Sequence, residues 1–273
     1  MIRALGFALL LGVAMAAHAA SRPRVVSLNP CVDAVLVRVA DAEQILAISH
    51  YSRDPDATSI PLEIANRFRI TAHTAEEVVA LAPDHVLAGP HVSLATIHAL
   101  ERMNVHLTKF KVAETVADSE TQIRQIAAIV GEPARGEALV AEIERALEAA
   151  RPRDETRVPA LIWQGGGLVP GGGTLADELL QRTGFRDLSV EYGLGKWGTL
   201  PLEYLLANPP ALVLSVGTGE AGRDRMLGHP AVLKLAERVQ FRTYPFHLLQ
   251  CGGPTIAEAV TRLASVRREL VTQ

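Results

Sequence analysis

The hydrophobic pattern of this chain alternates between two periods. Short apolar and β-branched runs bounded by turn residues predict buried strands at 24–28, 45–49, 85–88, 105–110, 160–163 and 212–216. Runs with apolar residues three or four apart predict helices that begin near 32 and at 74, and further helices at 93–103, 175–182, 201–206, 231–238 and 254–271. Strands that alternate with helices in this way are typical of βαβ units, so we expect an α/β fold with mainly parallel sheets.

The central part of the chain departs from this alternation. Residues 116–150 are almost wholly helical in pattern, with one interruption at Gly131–Pro133. The second half of this segment carries an apolar stripe at Leu139, Ile143 and Leu147 among good helix formers. We therefore expect two Rossmann-like α/β lobes joined by a single long backbone helix. Because a helix is stiffer than a Gly/Ser linker, the lobes should enclose a ligand cleft and close by only a small hinge motion.

The first 19 residues have the pattern of a secretory signal peptide. Arg3 precedes an apolar run over 4–16 that is too short to span a bilayer, and Ala17-His18-Ala19 fits a small-x-small cleavage site. No cysteine follows this site, so we expect a protein that is exported to the periplasm without a lipid anchor. The expected division of the chain is a signal peptide at 1–19, an N-terminal lobe at 20–130, the connecting helix at 131–155 and a C-terminal lobe at 156–273.

Charge and cysteine content exclude some classes of protein. The full chain has 27 Lys and Arg and 30 Asp and Glu residues, and cleavage after residue 19 removes only Arg3, which leaves a net charge of −4. A nucleic-acid partner is not expected, because it would require a basic face. With two cysteines the chain is no disulfide scaffold. We expect Cys31 and Cys251, in predicted cleft loops of opposite lobes, to be independent buried thiols. A disulfide between them and joint participation in ligand binding remain open alternatives.

Four segments of the chain carry a recognisable pattern: PRVVSLNPCVDAV (23–35), AISHYSRDP (47–55), TAEEVVALAPDHVLA (74–88) and KWGTLPLEYLLANPPALVL (196–214). Together they resemble the periplasmic substrate-binding proteins of ABC importers for cobalamin, ferric siderophores and heme. The first resembles the opening strand-turn-helix of that family, the second its loop with Tyr-Ser before a proline, and the last two are similar to matching segments of the two lobes. The resemblance covers nearly the whole mature chain, and it implies two lobes bridged by one long helix.

Two glutamates occupy equivalent places in the two lobes. Glu76 precedes EVVALAP and Glu203 precedes YLLANPP, so each stands in the first turn of a short predicted helix that leads to a strand. Stabilisation of the helix dipole is one explanation. The resemblance implies another, because one such glutamate per lobe forms a salt bridge with permease arginines in this family. We therefore expect Glu76 and Glu203 to dock the protein to an ABC permease in the inner membrane.

Candidate ligand contacts lie in the loops after the predicted strands, because ligands of open α/β folds bind beyond the carboxyl ends of strands. The resemblance places aromatic ligand contacts at Tyr51 and Trp197, whereas two further tryptophans of the cobalamin-binding members are replaced, approximately by Ile70 and Gly89. The Gly-rich run 165–173 lacks the ending of a phosphate loop and predicts a flexible loop at the cleft. The predicted ligand-binding residues are Asn29, Cys31, His50, Tyr51, His91, Trp197, His247 and Cys251.

These features predict a monomeric binding protein for a bulky metal-containing nutrient: a corrinoid, a ferric siderophore or heme. The protein would hold no cofactor of its own, because the cobalt or iron would belong to the ligand. One alternative is a zinc or manganese carrier of the rigid-helix type, with metal ligands among His50, His73, His91 and His247. Another is an exported enzyme, although the sequence contains no G-x-S-x-G or H-E-x-x-H motif.

Overall fold

The first lobe is built on a wholly parallel, five-stranded sheet. In a computed structural model, which describes residues 22–217, 228–235 and 237–271, the strand order of this sheet is β3-β2-β1-β4-β5. All carboxyl ends therefore meet at one edge. The elements of this lobe are β1 (Val25–Leu28), α1 (Pro30–Val39), β2 (Ile45–Ser49), α2 (Leu62–Ala65), β3 (Ile70–Thr71), α3 (Ala75–Ala80), β4 (His85–Ala88), α4 (Leu94–Arg102) and β5 (Leu107–Lys109).

Two helices carry the chain from the first sheet to the second. They are α5 (Val116–Ile129) and α6 (Pro133–Ala150), separated by the turn that Gly131 makes with a positive φ of 75°. The longer helix, α6, packs against α1 and α5 on one side and against the last helix of the chain on the other. It thus contacts elements of both halves, as a connecting helix must, although its helical residues span less than the predicted 131–155.

The second lobe contains a mixed sheet with the order β11-β10-β6-β7-β9, in which β8 also pairs with β6. The pairs of β6 with β10 and of β10 with β11 are parallel, whereas β7 runs antiparallel to both β6 and β9. The elements are β6 (Val158–Gln164), β7 (Leu168–Pro170), α7 (Leu175–Arg182), β8 (Phe185–Asp187), α8 (Leu188–Glu191), β9 (Trp197–Thr199), α9 (Leu202–Ala207), β10 (Leu212–Gly217), α10 (Pro230–Leu235), β11 (Gln240–Pro245), α11 (His247–Gln250) and α12 (Thr255–Val271).

One hydrophobic core continues from lobe to lobe. It contains Val25 and Ile48 of the first sheet, Leu212 of the second sheet, and the buried faces of α1, α5, α6 and α12 between them, including Ile143 and Leu263. Two smaller clusters cover the outer faces of the two sheets. Because the burial of apolar area is the main stabilising contribution to a fold, a shared core opposes separation of the lobes.

The α/β class with mainly parallel strands is confirmed, and most predicted elements are present. The pattern missed short elements such as β3, β7 and α8, whose two to four residues carry too little periodicity to detect. The predicted signal peptide, 1–19, lies outside the described residues. Within the described residues, no helix is both long enough and apolar enough to cross a membrane.

Candidate functional site

A cleft of about 750 Å³ lies between the lobes. The first lobe supplies residues that follow all five of its strands, at the carboxyl edge of its sheet. The second lobe supplies the start of α7, Trp197 and the segment Leu249–Gly253. A cleft of this size is within the range that holds small-molecule ligands. Six of the eight predicted ligand-binding residues line it: Asn29, Cys31, Tyr51, His91, Trp197 and Cys251.

Asn29 shapes the floor of the cleft from the turn between β1 and α1. Its side-chain oxygen accepts hydrogen bonds from the backbone N–H groups of Cys31 (2.7 Å) and Val32 (3.3 Å), so it caps α1. A Cβ atom at Gly89 would overlap the Asn29 amide. This close approach explains why glycine stands at Gly89, where the family resemblance had suggested a tryptophan.

Tyr51 and His73 form an aromatic cluster on the first-lobe side of the cleft. The Tyr51 side chain is 45% exposed, and its ring lies edge-on to the His73 ring with 5.9 Å between centroids. The third ring of the cluster, His50, lies between them at 4.1 Å from Tyr51 and 4.7 Å from His73. Burial, reinforced by the neighbouring His50, lowers the pKa of His73 to about 4, so the His73 ring is neutral at pH 7.

Trp197 forms the opposite wall at the start of the edge strand β9. It is also 45% exposed, and it pairs with Pro170 of β7. The preceding residue, Lys196, has a positive φ of 60°, makes an ion pair with Glu114 of the first lobe and donates from Nζ to the carbonyl of Gly173 (3.3 Å). Trp197 is thus presented by a constrained backbone turn whose lysine reaches across the cleft.

The prediction that Cys31 and Cys251 are independent thiols is wrong, because they form a disulfide between the lobes. Their Cα atoms are 5.2 Å apart, within the normal reach of such a bond. Gly253 donates its backbone N–H to the Ser119 hydroxyl (2.6 Å), and a Cβ atom at Gly252 would lie 2.8 Å from that oxygen. The glycines that follow Cys251 thus let its loop pack closely against α5.

Two predicted ligand-binding histidines do not line the cleft. His50 Nδ1 lies 3.2 Å from the carbonyl oxygen of Thr71, and its ring supports Tyr51 from the side. His247 begins α11, where its Nε2 lies 3.1 Å from Glu258 Oε1. Of the four histidines of the zinc or manganese alternative, His50 and His73 are in ring contact, whereas His247 pairs with Glu258. In the described part of the chain, no group of three or more His, Cys, Asp or Glu side chains is arranged to hold a metal ion.

The structure adds cleft residues that the sequence patterns did not predict. The segment Phe110–Glu114 follows β5, and Thr174–Ala176 begins α7. The rule that ligands bind beyond the carboxyl ends of strands applies to β5 as well, so it could have predicted Phe110–Glu114. In contrast, the predicted cleft loop 165–173 folds into a short 3₁₀ turn and β7, and none of its residues is among those that line the cleft.

Glu76 and Glu203 stand in the first turns of α3 and α9, as the internal similarity predicted, and both are exposed. Neither forms an ion pair with another residue of the described part of the chain. The neighbouring Glu77 differs, because its carboxylate accepts hydrogen bonds from the backbone N–H of Ala72 (2.8 Å) and the hydroxyl of Thr71 (3.0 Å). These hydrogen bonds lower the pKa of Glu77, and the bond from Ala72 contributes most. They also hold the carboxylate of Glu77 against its own lobe.

Comparison with known proteins places this geometry in context. A family whose description is "Periplasmic binding protein" matches residues 25–237. No curated protein sequence matches the chain significantly. Among solved structures, the periplasmic heme-binding protein RhuT from Roseiflexus sp. RS-1 is 21% identical, with a TM-score of 0.75 over 91% of this chain and 99% of that one.

Two proteins of Vibrio cholerae show the same architecture. The periplasmic heme-binding protein HutB is 19% identical, with a TM-score of 0.73 over 90% of this chain and 98% of that one. The periplasmic vitamin B12-binding protein BtuF is 14% identical, with a TM-score of 0.69 over 92% of this chain and 99% of that one. At these identities the similarity shows the fold and does not specify the ligand.

Proposed function

Because this chain belongs to the family of periplasmic binding proteins, we propose that it captures a flat, metal-containing macrocycle or chelate in its cleft and delivers it to an ABC permease. The ligand class comprises heme, corrinoids and ferric siderophores, and the metal is cargo rather than a cofactor of the protein. We further propose that residues 1–19 direct export, that the monomer works in the periplasm and that it catalyses no reaction.

The observation that carries this proposal is the pair of exposed rings on opposite walls of the cleft. Tyr51 and Trp197 each leave 45% of their surface exposed in a chain with only 4% aromatic residues. Apolar side chains such as Val35, Phe110 and Leu175 line the space between the walls. Aromatic walls with an apolar lining suit the faces of a planar ring system. The solved neighbours described above, which share this fold, bind heme and vitamin B12.

The cleft also offers polar groups that suit the rim of such a ligand. Lys111 and His91 line it from the first lobe, and Gln250 lines it from the second. A cation is the natural partner of a ligand carboxylate, and imidazole or phenol groups can reach a metal centre. This set favours heme, whose ring carries two carboxylates and an iron, as the first ligand to test.

Titration of the purified protein with hemin, cyanocobalamin, cobinamide and ferric siderophores tests the ligand class. Absorbance and Trp fluorescence report binding. We expect micromolar or tighter affinity for one of these ligands, and at least tenfold loss in Tyr51→Ala and Trp197→Ala. Tyr204→Ala is the matched control, because Tyr204 is 49% exposed but does not line the cleft. Absence of binding by the whole panel would contradict the proposal.

Uptake by cells that depend on this protein tests delivery. The double variant Glu76→Ala/Glu203→Ala should abolish uptake and keep the affinity for ligand, because both carboxylates lie at exposed helix starts outside the cleft. The control Glu63→Ala/Glu237→Ala removes one exposed glutamate from each lobe and should leave uptake normal. Normal uptake in the first variant, or loss of ligand binding, would reject these residues as docking contacts.

A further inference from the structure

A buried carboxyl group lies directly behind the first-lobe wall of the cleft, which is formed by Tyr51 and His73. Asp33, in the first turn of α1, has no exposed surface. Its Oδ2 atom accepts hydrogen bonds from the backbone N–H of Ser49 (2.9 Å) and from the Ser52 hydroxyl (2.6 Å). The other oxygen, Oδ1, has no hydrogen-bond partner in the described part of the chain. Burial raises the pKa of Asp33 to about 7, because the buried site disfavours the charged carboxylate.

Ser49 and Ser52, which both donate to Asp33, belong to the segment that carries Tyr51. Ser49 ends β2 and caps the short 3₁₀ helix His50–Arg53, which contains both Tyr51 and Ser52. The Ser49 hydroxyl accepts a hydrogen bond from the backbone N–H of Tyr51 (3.3 Å). Asp33 therefore holds this helix at two points: at Ser49, which caps it, and at Ser52, within its single turn.

The same serine connects Asp33 to the second ring of the wall. His73 Nε2 lies 2.9 Å from the Ser49 hydroxyl. His73 has a positive φ of 67°, a conformation that is unfavourable for a side chain of this size. Its backbone is held on both sides, since its N–H donates to the Thr71 hydroxyl (3.1 Å) and its carbonyl accepts from the Thr96 hydroxyl (3.0 Å). A strained residue that is fixed at its backbone and its ring indicates that its orientation matters.

We propose that Asp33 is the positioning residue of the cleft, which acts through Ser49 and Ser52 to hold Tyr51 and His73 in the orientation that contacts the ligand. The identity of that ligand rests on the proposed function. The positioning itself is a property of the unliganded protein, and it can be measured without any ligand. A residue that served only the stability of the lobe would not change the two rings selectively.

The second lobe provides a matched control for this test. Asp187 is also buried, and its Oδ1 atom accepts a hydrogen bond from the backbone N–H of Ser189 (2.9 Å). Its Oδ2 atom, like Asp33 Oδ1, has no hydrogen-bond partner in the described part of the chain. Burial raises the pKa of Asp187 to about 6. Asp187→Ala thus removes a similar carboxyl that lies in the other lobe, away from Tyr51 and His73.

NMR of the unliganded protein with labelled His and Tyr rings is the first measurement. Asp33→Ala should shift and broaden the ring signals of both Tyr51 and His73. Asp33→Asn keeps an acceptor oxygen for Ser49 and Ser52, so it should restore signals close to those of the wild type. Asp187→Ala should leave both signals unchanged. Unchanged Tyr51 and His73 signals in Asp33→Ala would overturn the proposal, whatever the ligand is.

Titration with hemin, followed by the Soret band, is the second measurement. We expect affinity about tenfold weaker in Asp33→Ala, and within about twofold of the wild type in Asp33→Asn and Asp187→Ala. Equal affinity in all four proteins would reject the positioning role. Failure of the wild type to bind hemin would count against heme as the ligand, while the NMR result would still decide whether Asp33 orders the rings.

If Asp33→Ala does not fold, the variant Ser52→Ala replaces it in the NMR measurement. Ser52→Ala removes one of the two hydrogen bonds and should move the ring signals of Tyr51 and His73 in the same direction. Unmoved signals would then overturn the proposal.

Discussion

The two walls of the cleft present equally exposed aromatic rings but hold them by different kinds of contact. Tyr51 lies in a loop that is tied by serine hydroxyls and a backbone amide to the buried Asp33. Trp197 lies on an edge strand, where the backbone N–H of Lys196 donates to the carbonyl of Gly172 (2.9 Å). The first wall, which Tyr51 and His73 form in the first lobe, depends on polar side chains. The second wall, which Trp197 forms in the second lobe, depends on the close approach of backbone segments.

This difference follows from the sheets behind the walls. In the first lobe every strand is parallel, so the chain leaves each carboxyl end in a separate loop that has no strand partner of its own. Side chains must then satisfy the loop's backbone groups. In the second lobe β7 and β9 are antiparallel, and Gly171 and Gly172 bond to the turn that precedes Trp197. The first wall should therefore be sensitive to the loss of polar atoms, and the second to the addition of side-chain atoms.

Removing the covalent connection between the walls should have the largest effect on stability. The double variant Cys31→Ser/Cys251→Ser opens a disulfide with a sequence separation of 220 residues, which restricts the unfolded chain strongly. We expect the free energy of unfolding in urea to fall by about 5 kcal/mol. Reductant should destabilise the wild type to a similar extent and leave the variant unchanged. Equal stability of the two proteins without reductant would show that the shared core alone holds the walls together.

The buried carboxyl of the first wall should appear in the pH dependence of stability. The folded pKa of Asp33, about 7, lies above its ordinary value of 3.8, so the native state keeps a proton that the unfolded state has lost. The contribution of Asp33 to stability is therefore present below about pH 4 and lost as the pH rises through 7. The stability of Asp33→Asn relative to the wild type should increase by about 4 kcal/mol between pH 4 and pH 8.

Comparison of Asp33→Asn with the wild type separates the titration of Asp33 from that of His73. His73 has a folded pKa of about 4, below its ordinary 6.5, so its own contribution runs in the opposite direction, but it is common to both proteins. Urea unfolding at several pH values measures the effect. A constant difference across this pH range would contradict a raised pKa for Asp33.

The second wall should respond to added atoms. A Cβ atom at Gly171 would overlap the carbonyl oxygens of Leu194 and Lys196, whereas a Cβ atom at Gly165 would meet no described atom within 4 Å beyond its chain neighbours. Gly171→Ala should therefore lower the free energy of unfolding by about 3 kcal/mol. Gly165→Ala, in the same glycine-rich run, should change it by less than about 0.5 kcal/mol. Similar losses in both variants would mean that close packing does not distinguish them.

The ion pair that spans the cleft should contribute least. Lys196 and Glu114 are 56% and 45% exposed, respectively. Water and salt screen such a pair, so Glu114→Gln should lower stability by about 0.5 kcal/mol at low ionic strength. The difference should disappear in about 1 M NaCl, where the Debye length is only about 3 Å. A larger loss that persists in salt would show that Glu114 stabilises the protein through contacts other than this screened ion pair.

Sequence patterns were sufficient for the long elements and for several cleft loops. The helix Leu175–Arg182 was predicted to the residue, and β2 and β4 likewise, because their apolar periods and capping residues are local signals. The loops with Asn29, Tyr51 and His91 followed from one topological rule applied to predicted strands. The sequence could not show that His50 and His247, unlike these residues, do not line the cleft. The direction of a loop side chain depends on its neighbours in space.

The sequence by itself determined the α/β class, the place of the interrupted helical segment and the paired glutamates, since each depends on residues close together in the chain. Only the tertiary structure decided that Cys31 and Cys251 are bonded, because 220 positions separate them and they belong to different lobes. It also decided the surroundings of Asp33. Within α1 this residue is an ordinary first-turn acid, and only the folding of β2 beside it brings it to Ser49, whose hydroxyl contacts the Tyr51 backbone and the His73 ring.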